Sequence, residues 1–471
     1  PRSSIERKRL KMGGATVHAK QRVRTWTDRQ DNKMNHNSPK TIPRFSRTPR
    51  LVSACMTALG LTLTHHNVSA LPTGANLAIS MKPASGGMSG AAYTLPQEVS
   101  AAVFGNPATL TQFSGTQFGL SAALLKIDLE NTQTGAGGTN VSESAADNYV
   151  APDFAFSHKT EQGWVIGAGL QVGAGLGADF RDDPIRIGAL LGTELPFISE
   201  LLSFNANLSV AKQITPKTSI GAAATAGFGL LQMGTAGQSG SGIPTGQFGG
   251  TSSSVHDTGL SFSLGITRQI SESLMISALY KSKLKYTFED VTFTSVAPEG
   301  FQTLTIEQPA EYVLGAAIAL SPAWVLEIDL MRNLWGDAST SEDIYKDQTI
   351  LMVGTQYTLG NWRFRAGYSH QSDQFREEPN NTIGALNGIG TIPLPFINND
   401  LVKLVQTAAV PIVGRHSVSL GIGYDMTPFT RIDAFSAYSY EESLIRNTPN
   451  VDVALGLPAS SSYRADVIMW A

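Results

Sequence analysis

The chain has 471 residues, enough for two or three soluble domains or one large closed barrel, and only 15% of them are charged against the ~25% usual in soluble domains. A net charge of −3, with no basic patch interleaved with aromatics in the body of the chain, gives a nucleic-acid partner no footing. The single cysteine, Cys55, leaves no disulfide framework and no thiolate metal site.

In chain order, residues 1–33 are polar, basic and unpatterned, and read as a disordered tail or as translation from upstream of the true start. Residues 34–70 read as a secretory signal. Arg44, Arg47 and Arg50 form its basic region, Leu51 to Thr64 its apolar run, and Val68-Ser69-Ala70 a small-x-small cleavage site. The apolar run is too short for a spanning helix, which needs ~20 residues. Cys55 lies inside it, where a lipoprotein box would place the cysteine after it, so lipidation is not expected. A separate segment, residues 71–114, follows. It contains the small amphipathic helix "LPQEVSAAVF" and the Asn106-Pro107 pair. Pro107 lacks an amide donor and biases Asn106 away from helical backbone, so the pair ends the helix and turns the chain.

From residue 115 the pattern has period two. Leu260, Phe262, Leu264 and Ile266 alternate with Ser261, Ser263 and Gly265, and Val418, Leu420, Ile422 and Tyr424 with Ser417, Ser419, Gly421 and Gly423. This predicts strands with one apolar and one small or polar face. Strands are expected near 116–131, 150–158, 163–176, 200–214, 217–232, 255–270, 273–288, 308–321, 323–335, 347–359, 361–372, 415–426, 428–441 and from 462. Short connections such as "TPK", "SES" and "MTP" alternate with long ones such as 132–149, 233–254 and 372–414. Short turns at one end, long loops at the other and an even strand number are the signature of a bacterial outer-membrane barrel, here of fourteen antiparallel strands over residues 115–471.

A Lys facing lipid at mid-depth costs roughly 2 to 4 kcal/mol. Lys281, Lys283 and Lys285, which share one phase of the seventh strand, are therefore expected in the lumen or above the membrane, as a solvated rim or a carboxylate-attracting patch. By the same reasoning Glu327, Asp329, Arg363 and Arg365 point inward, satisfying one another. Gly173, Gly175 and Gly177 weaken the third strand and mark a bend, either for close packing or as an opening in the wall. His158, His256, His370 and His416 are scattered, and no HExxH, GxSxG or phosphate loop is present, so neither enzyme chemistry nor a metal or cofactor is expected.

"SGAAYTLPQEVSAAVFGNPATLTQF", with Gly90-Ala91, Ser100-Ala101-Ala102 and Asn106-Pro107-Ala108, resembles the N-terminal segment of the FadL/TodX family of outer-membrane transporters of long-chain fatty acids and hydrocarbons. Pro309-Ala310, Gly315, Trp324, Leu326, Asp329 and Trp335, and later Arg365-Ala366-Gly367-Tyr368, Arg415-His416, Gly421 and Gly423-Tyr424, are similar to that family's later strands. The resemblance implies an all-β, 14-stranded transmembrane barrel closed by an N-terminal hatch, residues 71–114, with Asn106, Pro107 and Ala108 as the hatch motif. It implies passive transport of a hydrophobic ligand, captured by extracellular loops and released past the hatch or sideways through a kink in the third strand, where Gly173 to Gly177 lie. Ile187, Leu190, Leu191 and Phe197 in one loop, and Phe293 and Phe301 in another, are candidate capture residues by composition. The expected partners are the ligand, outer-membrane lipid and the barrel-assembly machinery, and a monomer is expected. Two departures stand out: the long 372–414 loop, in which "TIPLPFINNDLVKLV" suggests a short helix, and a last strand that breaks off at "RADVIMWA", as if truncated, with imperfect closure expected. A general channel and a surface adhesin or receptor are the alternatives to a transporter.

Overall fold

The computed structural model describes residues 80–187, 193–235, 252–294, 300–379, 395–410, 415–455 and 458–471. The upstream tail and the signal segment, residues 1–70, lie outside them.

Fourteen antiparallel strands form a closed ring. They are β1 (Thr116–Gly135), β2 (Asn148–Lys159), β3 (Trp164–Asp179), β4 (Phe197–Thr215), β5 (Thr218–Thr235), β6 (Val255–Gln269), β7 (Leu274–Lys281), β8 (Glu311–Ser321), β9 (Trp324–Asn333), β10 (Gln348–Leu359), β11 (Trp362–Gln371), β12 (His416–Thr427), β13 (Thr430–Asn447) and β14 (Ser460–Trp470). Each pairs with its sequence neighbour, and β14 returns to β1, with Thr134 opposite Ser460 and Leu124 opposite Trp470. Below Leu124, residues Thr116 to Ala123 of β1 are paired only with β2. The turns at one end are tight: Thr215 faces Thr218, Leu359 faces Trp362 and Thr427 faces Thr430. At the Leu359–Trp362 turn Gly360 takes φ +61°, a left-handed conformation that a side chain resists.

The alternation of the sequence becomes an inversion of the usual soluble arrangement. On β6 the outward Leu260, Phe262, Leu264 and Ile266 are exposed, while the inward Ser261, Ser263 and Thr267 are buried. Phe118 and Leu120 on β1 and Leu420 and Ile422 on β12 continue the exposed apolar row. Such a continuous outer band is stable against lipid and not against water. Aromatic rings collect where the band ends near the tight turns: Trp164, Trp324, Trp362 and Tyr424 are all exposed, and the rings of Trp362 and Tyr424 lie 4.5 Å apart. Rings at that depth match the amphipathic girdle of membrane barrels.

The expected seventh strand, 273–288, is not continuous. β7 stops at Lys281, and after Ser282 and Lys283 the chain resumes as a hairpin, Leu284–Thr294 with Gly300–Gln308, that forms its own sheet. The break reverses the alternation. Leu284 and Tyr286, although in phase with the exposed Ile276, are buried in a cluster with Phe288, Val291, Leu304, Leu201 and Leu231. Lys285 is exposed on the hairpin. Gly227, Gly229 and Gly259 make room for the hairpin, since a Cβ on Gly227 would meet the Tyr286 hydroxyl at 2.3 Å. The ring is roofed at this end by loop elements: α1 belongs to the N-terminal segment (Pro83–Gly86), as does α2 (Val99–Phe104), while α3 (Ser341–Ile344), α4 (Pro395–Ala408) and α5 (Pro449–Leu455) lie above the strands. The helix expected in the long loop is thus α4.

Candidate functional site: the occupied lumen and the parted wall

Residues 80–114 fold into the ring, bonded to inward side chains from opposite sides of it. α2 is buried along its whole length. Glu98 accepts from the amides of Ala84 and Ser85 at 2.9 and 2.8 Å, tying the two short helices together. After Gly105 the chain turns at Asn106, which caps the 3-10 helix Pro107–Gln112 by accepting from the Ala108 amide at 3.1 Å. The Asn106 side-chain amide donates back to the Tyr93 carbonyl at 3.1 Å. This helix lies on glycines of β5 and β6: a Cβ on Gly221 would fall 2.4 Å from the Pro107 carbonyl carbon, and one on Gly265 would fall 1.9 Å from Asn106 Oδ1. Across the lumen, Gly354, Gly367 and Gly421 admit the backbone of Gly87 to Ser89 in the same way. These glycines belong to the small-residue phase of the strands, and their spacing gives no sign of which ones meet the segment.

Two carboxylates of β9 hold the segment at its centre. Glu327 Oε1 accepts from the Thr94 and Leu95 amides at 2.7 and 3.0 Å, and Asp329 Oδ2 from the Tyr93 amide at 3.1 Å. Both residues are fully buried. The sequence places them inward correctly but pairs them wrongly. Arg363 answers Asp425 of the adjacent β12 at 2.6 Å, and Arg365 answers Asp433 of β13 at 2.8 Å over Gly423 of β12, whose missing side chain leaves the path between them open.

Above the segment, toward the long loops, the lumen is apolar. Leu125, Ile127 and Leu129 of β1, Val172 of β3, Leu202 of β4 and Tyr463 of β14 join one buried cluster with Tyr345, Phe375 and Val402 from the roof. Ile185 and the partly buried Phe197 belong to it, so that loop packs inward. Leu190 and Leu191 lie outside the described residues, as does the side chain of Ile187. Phe293 is paired opposite Phe301 in the hairpin, and Phe301 is exposed.

The wall of this apolar region is parted between β2 and β3. Their ladder runs from Lys159–Val165 to Asp153–Gln171 and ends there. β3 goes on without β2, paired only with β4, through a bulge between Val172 and Ala174 that leaves Gly173 out of register. β2 continues as Asn148 to Pro152, paired only with β1. The two strands are joined again above, where the Ala145 amide donates to the Asp179 carbonyl at 2.8 Å. At ~3.3 Å per residue, Asn148 to Pro152 expose an unladdered edge on the order of 16 Å long. Pro152 has no amide to offer β3, and the Asn205 side chain lies over Gly173, where a Cβ would meet its Nδ2 at 2.1 Å. Gly175 and Gly177 stay paired with Leu202 and Glu200. At the lower corner of the gap the buried Lys82 of the N-terminal segment donates to Asp153 Oδ2 at 2.7 Å and to Gln171 Oε1 at 2.8 Å, and its ammonium lies 4.7 Å from the Phe104 ring centre. Sequence reading missed Lys82, Asp153 and Gln171; no local pattern marks residues brought together only by barrel closure.

The three lysines of the seventh strand are not brought together. Lys281 pairs with Glu311 at 3.1 Å and Lys283 with Glu307 at 3.4 Å, while Lys285 is exposed on the hairpin, where it stands opposite Glu307 in the ladder. Burial pushes the Glu307 carboxyl up, but the Ser339 amide and the Lys283 ammonium outweigh it and hold the group below the usual carboxylate range. Among the described residues no cluster of three His, Cys, Asp or Glu could hold a metal ion.

A closed fourteen-stranded ring with an apolar outer band, aromatic girdle and filled lumen defines an outer-membrane barrel of the transport class. The chain belongs to the outer membrane protein transport protein family (OMPP1/FadL/TodX), whose model matches residues 68–383. It resembles the toluene transporter TodX of Pseudomonas putida, with 19% identity, TM-score 0.55 and coverage of 83% of this chain and 97% of that one. It resembles a FadL homologue of Pseudomonas aeruginosa at 14% identity, TM-score 0.59 and coverage of 85% and 98%. The toluene transporter TbuX of Ralstonia pickettii matches at 19% identity, TM-score 0.53 and coverage of 86% and 98%. No curated protein sequence matches. At these identities the solved structures speak for the fold, and the family match places the chain in the outer membrane among transporters of hydrophobic compounds.

Proposed function

We propose that the protein passes hydrophobic small molecules, long-chain fatty acids or related hydrocarbons, passively across the outer membrane, with residues 71–114 acting as a hatch and the gap between β2 and β3 as the exit. The observation that carries this reading is the parted wall: an apolar lumenal cluster and an interruption of the ladder share Val172, next to the Gly173 bulge. A ligand entering from the loops finds apolar surface down to the N-terminal segment, whose bonds to Glu327 and Asp329 close the direct way through. Lateral release into lipid avoids transfer of the alkyl chain to water, which costs about 0.8 kcal/mol per CH2. The roof and hairpin, with Phe197, Phe293 and Phe301, serve as the capture surface, and Lys285, which has no ion pair among the described residues, as the ammonium of its group that attracts a carboxylate.

Uptake of radiolabelled oleate and of toluene, compared between a gene-deletion strain and the same strain carrying the wild-type gene, tests the reading. Restored uptake of at least one compound is expected; unchanged uptake of both would sink it. Planar bilayers containing the protein should show almost no ion conductance, and steady large conductance would instead indicate a general channel.

A further inference from the structure

Below the N-terminal segment, at the end of the barrel formed by the tight turns, lies a second chamber of about 380 Å3. This is within the ~300–1,000 Å3 range of small-molecule sites. Short turns of such barrels face the periplasm, so the chamber is the periplasmic mouth. Its ceiling is Leu95, Pro96 and Gln97 with Thr111 to Ser114, and its wall includes Met275, Val325 and Gln356. Among the described residues four cationic side chains line it, Lys159, Lys217, Arg363 and Arg431, and no carboxylate does.

The charges are not equivalent. Arg363 is matched by Asp425, while Arg431, at 2.7 Å, shares the single carboxylate of Asp433 with Arg365, so only Arg363 is fully neutralised in the wall. Arg431 also donates to the Gln97 carbonyl, which fixes the ceiling to the wall. Lys159, at the end of β2, and Lys217, in the turn between β4 and β5, have no carboxylate partner among the described residues. The chamber thus presents an uncompensated positive charge beside Leu95, Phe113, Met275 and Val325. Concavity and small size argue against a protein partner, which needs a contact of ~1,000 Å2 or more.

We propose that this mouth is a binding site for a medium-chain monocarboxylate, its carboxylate held by Lys159 and Lys217 and its apolar body lodged against Phe113, Met275 and Val325. The site is distinct from the apolar cluster above the segment and rests on the transport reading only for the source of the acid. Because its test measures binding and not uptake, failure of one leaves the other standing.

The experiment is lysine footprinting of the whole protein in lipid nanodiscs, with acetylation by a water-soluble reagent read by mass spectrometry. Octanoate should slow acetylation of Lys159 and Lys217 about fivefold, the scale of a partly solvated ion pair, and leave Lys346, paired with Asp373 at the long-loop end, unchanged. Acetate lacks the tail and octan-1-ol the charge, and each should protect less than twofold. Equal protection by acetate, equal slowing of Lys346, or stronger protection by a polyglutamate peptide would each overturn the proposal. Calorimetry with the K159Q/K217Q double variant gives a second readout: octanoate affinity should fall about fivefold or more while octan-1-ol affinity is kept, and unchanged octanoate affinity would contradict the assignment.

Discussion

The two ends of the lumen are built on opposite principles. Toward the long loops, inward positions of β1, β3, β4 and β14 carry large aliphatic and aromatic side chains, and the nearby Lys281 and Lys283 are cancelled by Glu311 and Glu307. Toward the tight turns, inward positions carry Ser, Thr and Gln, and Lys159 and Lys217 have no acidic partners among the described residues. Between them lies a segment whose polar backbone is satisfied by two buried carboxylates. An uncharged apolar body is therefore favoured above the segment and an anion below it, so the barrel sorts by polarity along its axis even though the same period-two strands build both ends.

The largest effect should come from removing the partition. Gly221→Val and Gly265→Val put side-chain atoms where Pro107 and Asn106 now lie. Backbone on one side of the contact cannot yield, so the segment should be displaced and the two ends joined, with single-channel conductance rising at least tenfold over wild type in planar bilayers. Next, Glu327→Ala removes two amide acceptors at the buried centre. A buried amide left without its acceptor costs about 1–3 kcal/mol, so the segment should become accessible to protease at lower denaturant while the barrel keeps its heat-modifiable migration on gels. Lys82→Met leaves Asp153 buried without its cation, and a carboxylate so stranded costs about 3–5 kcal/mol, which should speed hydrogen exchange of β2 and β3 next to the gap. The smallest effect concerns the upper end. Glu307 has a lowered folded pKa, so its stabilising contribution is present above the ordinary carboxylate pKa of about 4.3 and is lost as the pH falls through the lower folded value. Docking of the 284–308 hairpin, followed by Tyr286 fluorescence in a variant lacking other nearby emitters, should loosen in acid, and Glu307→Gln should remove that dependence.

Much of the architecture was legible because a barrel wall obeys two local rules. Residues such as Leu260 to Ile266 announce one lipid-facing row, and turns such as Pro216-Lys217 announce which end is short. The seventh strand misled because Leu284 and Tyr286 keep the apolar phase after Ser282, and only the nearness of Gly227 and Gly259 shows that they have turned inward. The Asn106-Pro107 break gave the turn correctly, while its partners on β5 and β6 are more than a hundred residues away and leave no trace in spacing. Gly173 was visible as a weak point of its strand. That the ladder with β2 ends beside it depends on Pro152 and on the register of a different pair of strands.

Deletion of Gly173 tests the central claim most directly. Without the extra residue β3 should keep register past Val172, extend its pairing and close the gap while the N-terminal segment stays in place. Oleate and toluene uptake by cells carrying only this variant should fall to the level of the deletion strain, with the barrel folded and present in the outer membrane at wild-type amounts. Uptake at the wild-type rate in those cells would contradict the lateral route and leave passage past the N-terminal segment in its stead.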